Sequence, residues 1–228
     1  AQILSPDTLC FFNYDTAIIA IPPAGTWSGT GTYNQTLGTI NPTVAGQGDH
    51  QIEYSFGVGQ CFTTAKTDIY VREPLQVSVS AIPTQICPGY SSVITAAGIG
   101  GHINAGYTYT WNHTPSNSSV QSVTPDSSTT YYVTLTDGCS TPSVDSQFIL
   151  VYPTPVSTLS TSPTTCFGDI GFITYDVNQF GYTYTWLNPI SPSDTNYSQS
   201  GDTVMTRVTN QFGCFVDTSI IIPTYGPI

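Results

Sequence analysis

The chain repeats one pattern of cysteine and tryptophan three times along its 228 residues. The segment GYTYTW occurs at Gly106–Trp111 and again at Gly181–Trp186, 75 positions later, and in both copies the next cysteine follows the tryptophan by 28 residues. All cysteines and tryptophans fit the order cysteine, tryptophan, cysteine: Cys10, Trp27 and Cys61, then Cys87, Trp111 and Cys139, then Cys166, Trp186 and Cys214. Recurrence at this spacing predicts a tandem array of small domains.

Apolar segments followed by proline mark the ends of the repeats. Residues 67–71, 147–151 and 219–222 are largely apolar and β-branched, and a proline follows each of them closely. Proline lacks the N–H that a strand interior needs, so it ends a strand. We therefore predict three domains, residues 1–73, 74–153 and 154–228, with short proline-bearing joints that are stiffer than glycine-serine linkers.

The segments within each repeat alternate apolar with polar side chains. Tyr131, Val133 and Leu135 fall on one face of an extended segment, and Ile52 and Tyr54 do the same in the first repeat. Alternation with period two between turn residues is typical of strands in a sandwich. No segment has the pattern of a long helix. The predicted fold class is all-β, with three tandem β-sandwich domains arranged as a rod.

The aromatic residues of GYTYTW share one face of a strand, because side chains alternate along an extended backbone. A tryptophan held at a constant distance from the second cysteine is typical of a core residue, so Trp27, Trp111 and Trp186 are predicted core tryptophans. The alternative is an exposed aromatic platform that binds a ligand. The first repeat keeps the tryptophan without the tyrosines, which favours the core.

Six cysteines at repeated positions predict disulfides and an oxidising compartment. We predict pairing within each repeat, because it would staple every small domain on its own: Cys10 with Cys61, Cys87 with Cys139, and Cys166 with Cys214. Each bond would close a loop of about 50 residues and contribute up to about 4 kcal/mol. Other connectivities and free structural thiols stay open. The cysteine and histidine spacings fit no zinc site, so no metal is predicted.

The charge balance limits the partners. The chain has three Lys and Arg against 14 Asp and Glu, a formal net charge of −11. Binding to nucleic acid or to an anionic membrane surface depends on basic side chains, so we predict no nucleic-acid partner. No apolar run is long enough to cross a bilayer, so direct membrane insertion is not expected. Residues 1–5 lack a signal-peptide pattern, and we expect a mature or excised piece.

No residue pattern indicates catalysis or a cofactor. The histidines, His50, His102 and His113, do not occupy matching positions in the repeats, and we interpret His102 and His113 as solvated loop residues. Nucleophile elbows, paired-histidine zinc motifs and phosphate-binding loops are missing. The carboxylates are too scattered for an EF-hand loop, although a structural Ca²⁺ at a joint between repeats stays open. We therefore predict that the chain is not an enzyme, with no catalytic or cofactor-binding residues.

Two kinds of segment resemble repeats of bacterial surface proteins. TTYYVTLTDGC at Thr129–Cys139, after YTYTWNHTP at Tyr107–Pro115, resembles the PKD-like and Ig-like repeats in very large surface proteins of gliding Bacteroidetes. Gly25–Gly31 followed by Ile40–Cys61 resembles a second variant of these repeats. The W-D-F-G-D-G turn of PKD domains proper is missing, so Ig-like is the closer description.

This resemblance implies a function at the cell surface. Such repeats belong to adhesins, including SprB-type gliding adhesins, that are exported by the type IX secretion system. We expect a repeat segment acting as a stiff, disulfide-stapled stalk in surface adhesion or gliding motility. Its partners would be neighbouring repeats of the same long chain, surface polysaccharide or other cell-surface proteins. Carbohydrate-binding modules, or accessory modules of a secreted multidomain enzyme, stay open as alternatives.

Overall fold

A computed structural model describes residues 1–59, 61–157, 159–163, 166, 168–175, 181–189 and 195–224. In this part of the chain nearly all regular structure is strand. The helical elements described are a four-residue α-helix, α1, over Pro42–Ala45 and a short 3-10 helix over Ile103–Ala105. The all-β prediction is confirmed, and the chain has a tandem Ig-like β-sandwich fold.

Residues 2–71 form three sheets. Their strands are β1 (Gln2–Ile3), β2 (Thr8–Leu9), β3 (Thr16–Ala17), β4 (Ala20–Ile21), β5 (Thr26–Gly29), β6 (Thr32–Asn34), β7 (Thr39–Ile40), β8 (Gly48–Val58) and β9 (Cys61–Val71). The sheet orders are β2-β9-β8-β5, β3-β7-β6 and β1-β4. The hairpin β8–β9 runs from Gly48 opposite Val71 to Val58 opposite Cys61. β2 lies parallel to β9 at its end, with Leu9 opposite Val71.

Residues 76–151 form two sheets. Their strands are β10 (Gln76–Ile82), β11 (Gln85–Ile86), β12 (Ser92–Ile99), β13 (Thr108–Trp111), β14 (Val120–Val123), β15 (Thr129–Thr136) and β16 (Ser143–Val151). The orders are β10-β12-β14 and β11-β16-β15-β13. As β2 does with β9, β11 lies parallel to the end of β16, with Gln85 opposite Leu150.

Residues 159–221 also form two sheets. Their strands are β17 (Leu159–Thr161), β18 (Ile170–Tyr175), β19 (Tyr182–Asn188), β20 (Thr195–Gln199), β21 (Thr203–Asn210) and β22 (Phe215–Ile221). The orders are β17-β18-β20 and β19-β21-β22. Each described sheet thus draws its strands from one of the three predicted domains. The boundaries 1–73, 74–153 and 154–228 stay a prediction.

The sheet that carries the tryptophan is built alike in the three repeats. A hairpin of the last two strands (β8–β9, β15–β16 or β21–β22) pairs with the strand that holds the tryptophan (β5, β13 or β19). This arrangement positions the cysteines. Cys10 and Cys87 directly follow the short parallel strands β2 and β11, whereas the second cysteine of each repeat opens or precedes the final strand of the hairpin.

The inward faces of these strands form the cores. Tyr131, Val133 and Leu135 are buried in β15, and Val204 and the residues two and four positions after it are buried in β21. The core of the first repeat consists of Leu9, Ile18, Ala20, Trp27, Ile40, Ile52, Tyr54, Ile69 and Val71. The alternation therefore identified which side chains face inward, since a pleated strand places every second residue on one face.

The described chain divides into two compact units. The first comprises residues 1–82, 93–122 and 130–148, and the second comprises residues 83–92, 123–129 and 149–228. This division falls inside the second repeat. Each unit contains one disulfide and the contacts around it, described next.

Candidate functional site

The first compact unit contains a disulfide between two repeats. Cys10 is bonded to Cys139, in the turn between β15 and β16, with their Cα atoms 5.7 Å apart. Beside the bond, the N–H of Thr141 donates to the carbonyl oxygen of Phe11 at 3.0 Å. The disulfide and this hydrogen bond join the beginning of the first repeat to the hairpin turn of the second.

A buried carboxylate fixes the turn next to this disulfide. Asp137 is 4% exposed, and its Oδ1 accepts from the N–H groups of Cys139 at 2.9 Å and Ser140 at 2.7 Å. Its Oδ2 accepts from the N–H of His102 at 2.6 Å and from the hydroxyl of Ser140 at 2.8 Å. Burial raises the pKa of Asp137, but these four hydrogen bonds outweigh it and hold the pKa at about 2. A Cβ at Gly101 would lie 2.3 Å from Oδ2, so the carboxylate needs glycine there.

We expect Asp137→Asn to lower the free energy of unfolding of the first unit by about 2 kcal/mol at neutral pH. One end of an amide is a donor, so it cannot accept all four hydrogen bonds. The folded-state pKa is depressed, so the wild-type stabilisation is full above the unfolded pKa of about 4 and is lost as the pH falls towards about 2. Urea unfolding across this range should show a steeper loss for wild type than for the variant.

Asp126→Asn is the matched control, because Asp126 is exposed. It should change stability by less than about 0.5 kcal/mol and keep the wild-type pH dependence. Equal pH dependence of Asp137→Asn and wild type would contradict the role of Asp137 at this joint.

The second compact unit contains the equivalent bond. Cys87 is bonded to Cys214, directly before β22, with their Cα atoms 5.4 Å apart. An amide fixes the turn here. The Oδ1 of Asn210 accepts from the N–H groups of Phe212 and Cys214, both at 3.0 Å. Its Nδ2 donates to the carbonyl oxygen of Pro153 at 3.0 Å, so one side chain both shapes the hairpin turn and contacts the preceding repeat.

An aromatic pair covers this second joint. The rings of Tyr152 and Phe212 are stacked, with centroids 4.0 Å apart and planes 7° from parallel. The hydroxyl of Tyr152 also donates to the side-chain oxygen of Gln85. Phe212 lies in the hairpin turn of the third repeat and Tyr152 just after β16, so the stack and the disulfide join the same two repeats. Such a pair adds about 0.5–1.5 kcal/mol beyond the area that it buries.

The predicted pairing within repeats is wrong. The bonds predicted were Cys10–Cys61, Cys87–Cys139 and Cys166–Cys214, whereas the structure has Cys10–Cys139 and Cys87–Cys214. The reason is the length of the final hairpin strand. Cys61 opens the 11-residue strand β9, while Cys10 lies beside its end, where the N–H of Arg72 donates to the carbonyl oxygen of Leu9. An extended strand of that length spans about 33 Å, and bonded cysteines have Cα atoms within about 7 Å.

The third repeat separates its two cysteines in the same way. Cys214 directly precedes β22. Cys166 lies near the other end of this strand, because the N–H of Asp169 donates to Cys166 and the N–H of Ser200 donates to Asp169. The residue after Ser200 donates in turn to the carbonyl oxygen of Ile222, just past β22. Cys61 and Cys166 are free and exposed, so the structure brings four of the six predicted cysteines into disulfides.

The three tryptophans lie in the cores. Trp27, Trp111 and Trp186 are 5%, 3% and 2% exposed. The Nε1 of Trp111 donates to the carbonyl oxygen of Ser118 at 2.8 Å, and the ring of Trp27 packs 4.6 Å from that of Tyr54.

The tyrosine hydroxyls of the first GYTYTW segment bind backbone of their own repeat. The hydroxyl of Tyr107 donates to the carbonyl oxygen of Gly100 at 2.7 Å, and that of Tyr109 accepts from the N–H of Gly98 at 3.2 Å. These contacts favour the core-strand interpretation of GYTYTW over a ligand platform.

The histidines take three different environments. His50 is buried, and its Nε2 lies 2.8 Å from the carbonyl oxygen of Gly46. His113 is exposed and edge-on to the ring of Tyr131, as a loop residue can be. His102 is half-buried at the first joint. The interpretation of His102 as a solvated loop residue missed its hydrogen bond to Asp137, which lies 35 positions away.

One group of described residues could bring metal ligands together. The sulfurs of Cys10 and Cys139 and a ring nitrogen of His102 lie within 4.8 Å of one another. Thiolate is the metal-binding form of cysteine, and these two sulfurs are bonded to each other. While the disulfide stands, the group acts as a covalent joint.

Tryptic mapping without reduction should confirm the connectivity. The three basic residues, Lys66, Arg72 and Arg207, allow cleavage into residues 1–66, 67–72, 73–207 and 208–228. With Cys10–Cys139 and Cys87–Cys214 bonded, mass spectrometry should find 1–66, 73–207 and 208–228 as one linked species. Release of 1–66 without reductant would contradict the connectivity, and complete separation after reduction is the control.

None of the helices among the described residues is long and apolar enough to span a membrane. No protein-family profile matches the sequence, and no curated protein sequence matches it.

Solved structures of Ig-like arrays are similar in fold. Eight N-terminal Ig domains of Down Syndrome Cell Adhesion Molecule are 13% identical over 96% of this chain, with a TM-score of 0.38. The ICAM-5 D1–D4 ectodomain fragment is 12% identical over 98% of this chain and 76% of its own length, with a TM-score of 0.41. Three N-terminal domains of the outer capsid protein Hoc of bacteriophage RB49 are 10% identical over 95% of this chain and 96% of their own length, with a TM-score of 0.39. This chain spans 35% of the first of these, and likenesses at this level carry no information on function.

Proposed function

We propose that this chain is a repeat segment of a large bacterial cell-surface adhesin, where it acts as a stiff, non-catalytic stalk in surface adhesion or gliding motility. The observation that carries the proposal is the pairing of cysteines between successive repeats. A bond inside a repeat stabilises that repeat alone, whereas a bond between repeats restricts how far two neighbours can move apart. Restricting that movement serves a load-bearing array of repeats.

The surroundings of the two disulfides support this role. The first is flanked by the Thr141–Phe11 hydrogen bond and by the buried Asp137, and the second by Asn210 and the Tyr152–Phe212 stack. Two disulfides are typical of extracellular or secreted proteins. In this proposal the partners are neighbouring repeats of the same long chain, with surface polysaccharide or other cell-surface proteins contacted along it.

Small-angle X-ray scattering of the oxidised chain tests the stalk. A compact globule of this length has a radius of gyration of about 17 Å, and a rod of three repeats should clearly exceed it. The Cys10→Ser, Cys139→Ser, Cys87→Ser, Cys214→Ser variant is the matched control and should give a broader range of sizes. A value near that of a globule for the wild-type chain would overturn the stalk.

Antibody labelling of intact cells tests the location. Antibodies against the chain should label cells of the source organism before permeabilisation, and labelling only after permeabilisation would overturn the proposal. Specific binding on a glycan array would instead favour the carbohydrate-binding alternative.

A further inference from the structure

Both disulfides of the structure follow one pairing rule. The first cysteine of a repeat is bonded to the second cysteine of the next repeat, at separations of 129 and 127 residues. The rule leaves two cysteines over, and they are of opposite kinds. Cys61 is the second cysteine of the first repeat, and Cys166 is the first cysteine of the third repeat. Both are free and exposed.

We propose that Cys61 and Cys166 are complementary halves of a further disulfide of the same kind, formed head to tail between two copies of this chain. Cys166 of one copy takes the position that Cys10 and Cys87 have in the internal joints, and Cys61 of the next copy takes the position of Cys139 and Cys214. Repetition of this step makes a covalent polymer. The inference goes beyond the proposed function and does not depend on it.

The backbone at Cys166 matches that at a bonded cysteine. In one case the N–H of Tyr90 donates to the carbonyl oxygen of Cys87 at 3.1 Å, and in the other the N–H of Asp169 donates to that of Cys166 at 3.0 Å. The third residue of each turn is a glycine with positive φ, 81° and 88°, as in a type II turn. Cys166 is thus held in the same turn as Cys87, whose sulfur is in a disulfide.

The surface around Cys61 matches the hairpin side of a joint. Cys61 lies at the tip of the hairpin β8–β9, opposite Val58. Val58 is 88% exposed and Phe62 is 59% exposed, and both line, with Cys61, an open cavity of about 440 Å³. In the second internal joint the hairpin aromatic Phe212 is covered by Tyr152 of the preceding repeat. An apolar surface beside the free cysteine fits the tail of another copy.

The step needs a small-molecule disulfide as oxidant. The thiolate of one cysteine attacks the oxidant and forms a mixed disulfide, which releases one small-molecule thiolate. The second cysteine then attacks the protein sulfur of the mixed disulfide and releases the other. Two protein thiols are oxidised to one disulfide, and one molecule of oxidant is reduced to two thiols.

The test uses the full chain with reduced and oxidised glutathione. Wild type should form a ladder of covalent oligomers on non-reducing gels, and reduction should return it to monomer. Cys61→Ser and Cys166→Ser should each stop the ladder. An equimolar mixture of the two variants should give a covalent dimer at least about tenfold more abundant than either variant alone, because docking raises the effective concentration of the matched thiols.

Peptide mapping of the dimer should find Cys61 linked to Cys166. Equal dimer yields from the separate variants, symmetric linkages, or glutathione adducts without dimer would each overturn the proposal. Both substituted side chains are exposed, so the urea midpoints of the variants should equal that of wild type. In the native protein, linkage of Cys61 to a flanking repeat of the same polypeptide would keep the pairing rule and overturn the second copy as partner.

Discussion

Trp186→Ala should lower the free energy of unfolding of the third repeat by about 3–5 kcal/mol. The Trp186 side chain is 2% exposed and packs with Ile173, Val204 and Ile222 in one core. Removal of the indole loses its transfer free energy and leaves a cavity that rigid strands fill only in part. Whole domains are stable by about 5–15 kcal/mol, so the variant should lose much of the stability of this repeat. Urea unfolding followed by near-ultraviolet circular dichroism measures the effect.

Tyr197→Ala is the matched control in the same repeat. Tyr197 is a large aromatic residue but is 66% exposed, so its removal should cost less than about 0.5 kcal/mol. If both variants lost the same stability, Trp186 would not be a core residue in solution. A ligand platform would show the reverse pattern, with unchanged stability and weakened binding on removal of the tryptophan.

The combined substitution Cys10→Ser and Cys139→Ser should cost about 3–5 kcal/mol of the stability of the first unit. The bond joins residues 129 positions apart, and chain-entropy arithmetic gives roughly 4–5 kcal/mol for a loop of that size. Unfolding of the wild type in urea should become easier when a reductant is added. The stability of the first unit in the double variant should not depend on the reductant, because it has lost the bond that the reductant breaks.

Cys61→Ser is the control that separates the two connectivities. Cys61 is a free, exposed thiol, so its replacement should change stability by less than about 0.5 kcal/mol. A loss as large as that from Cys10→Ser would indicate a Cys10–Cys61 bond and would contradict the structure.

The strands and cores were predictable because each depends on local sequence. Period-two alternation identified the buried face of β15 at Tyr131, Val133 and Leu135, and the structure buries these side chains. The constant distance from tryptophan to the second cysteine indicated one hairpin sheet in every repeat, since a fixed spacing requires a fixed element. The tyrosines of GYTYTW lie on the tryptophan face, as the strand periodicity requires.

The cysteine partners were not predictable from spacing. The distances within repeats are 51, 52 and 48 residues, and those to the next repeat are 129 and 127. In a tandem array both sets are nearly constant, so regularity cannot distinguish them. A usable signal was the position of the cysteines relative to the strands. Each repeat has one cysteine on either side of the hairpin, next to turn residues, and a long final strand then holds the two apart.

The role of Asp137 was hidden for a related reason. Asp137 and the glycine after it were interpreted as a turn, which they are, but the turn alone does not bury a carboxylate. Burial comes from residues around His102, whose N–H donates to Asp137 across 35 positions of sequence. Hydrogen bonds between distant loops depend on how the strands are arranged, and no local pattern encodes them.

The pairing rule gives the chain a covalent network with three parallel paths. Residues 10–87, residues 87–139 and residues 139–214 each connect the same two disulfides. A protease that cuts one of these segments therefore leaves two intact, and cuts in two of them still leave one. Between Cys10 and Cys214 the polypeptide is severed only when all three segments are cut. With one disulfide inside each repeat, a single cut in either proline-bearing joint would be enough.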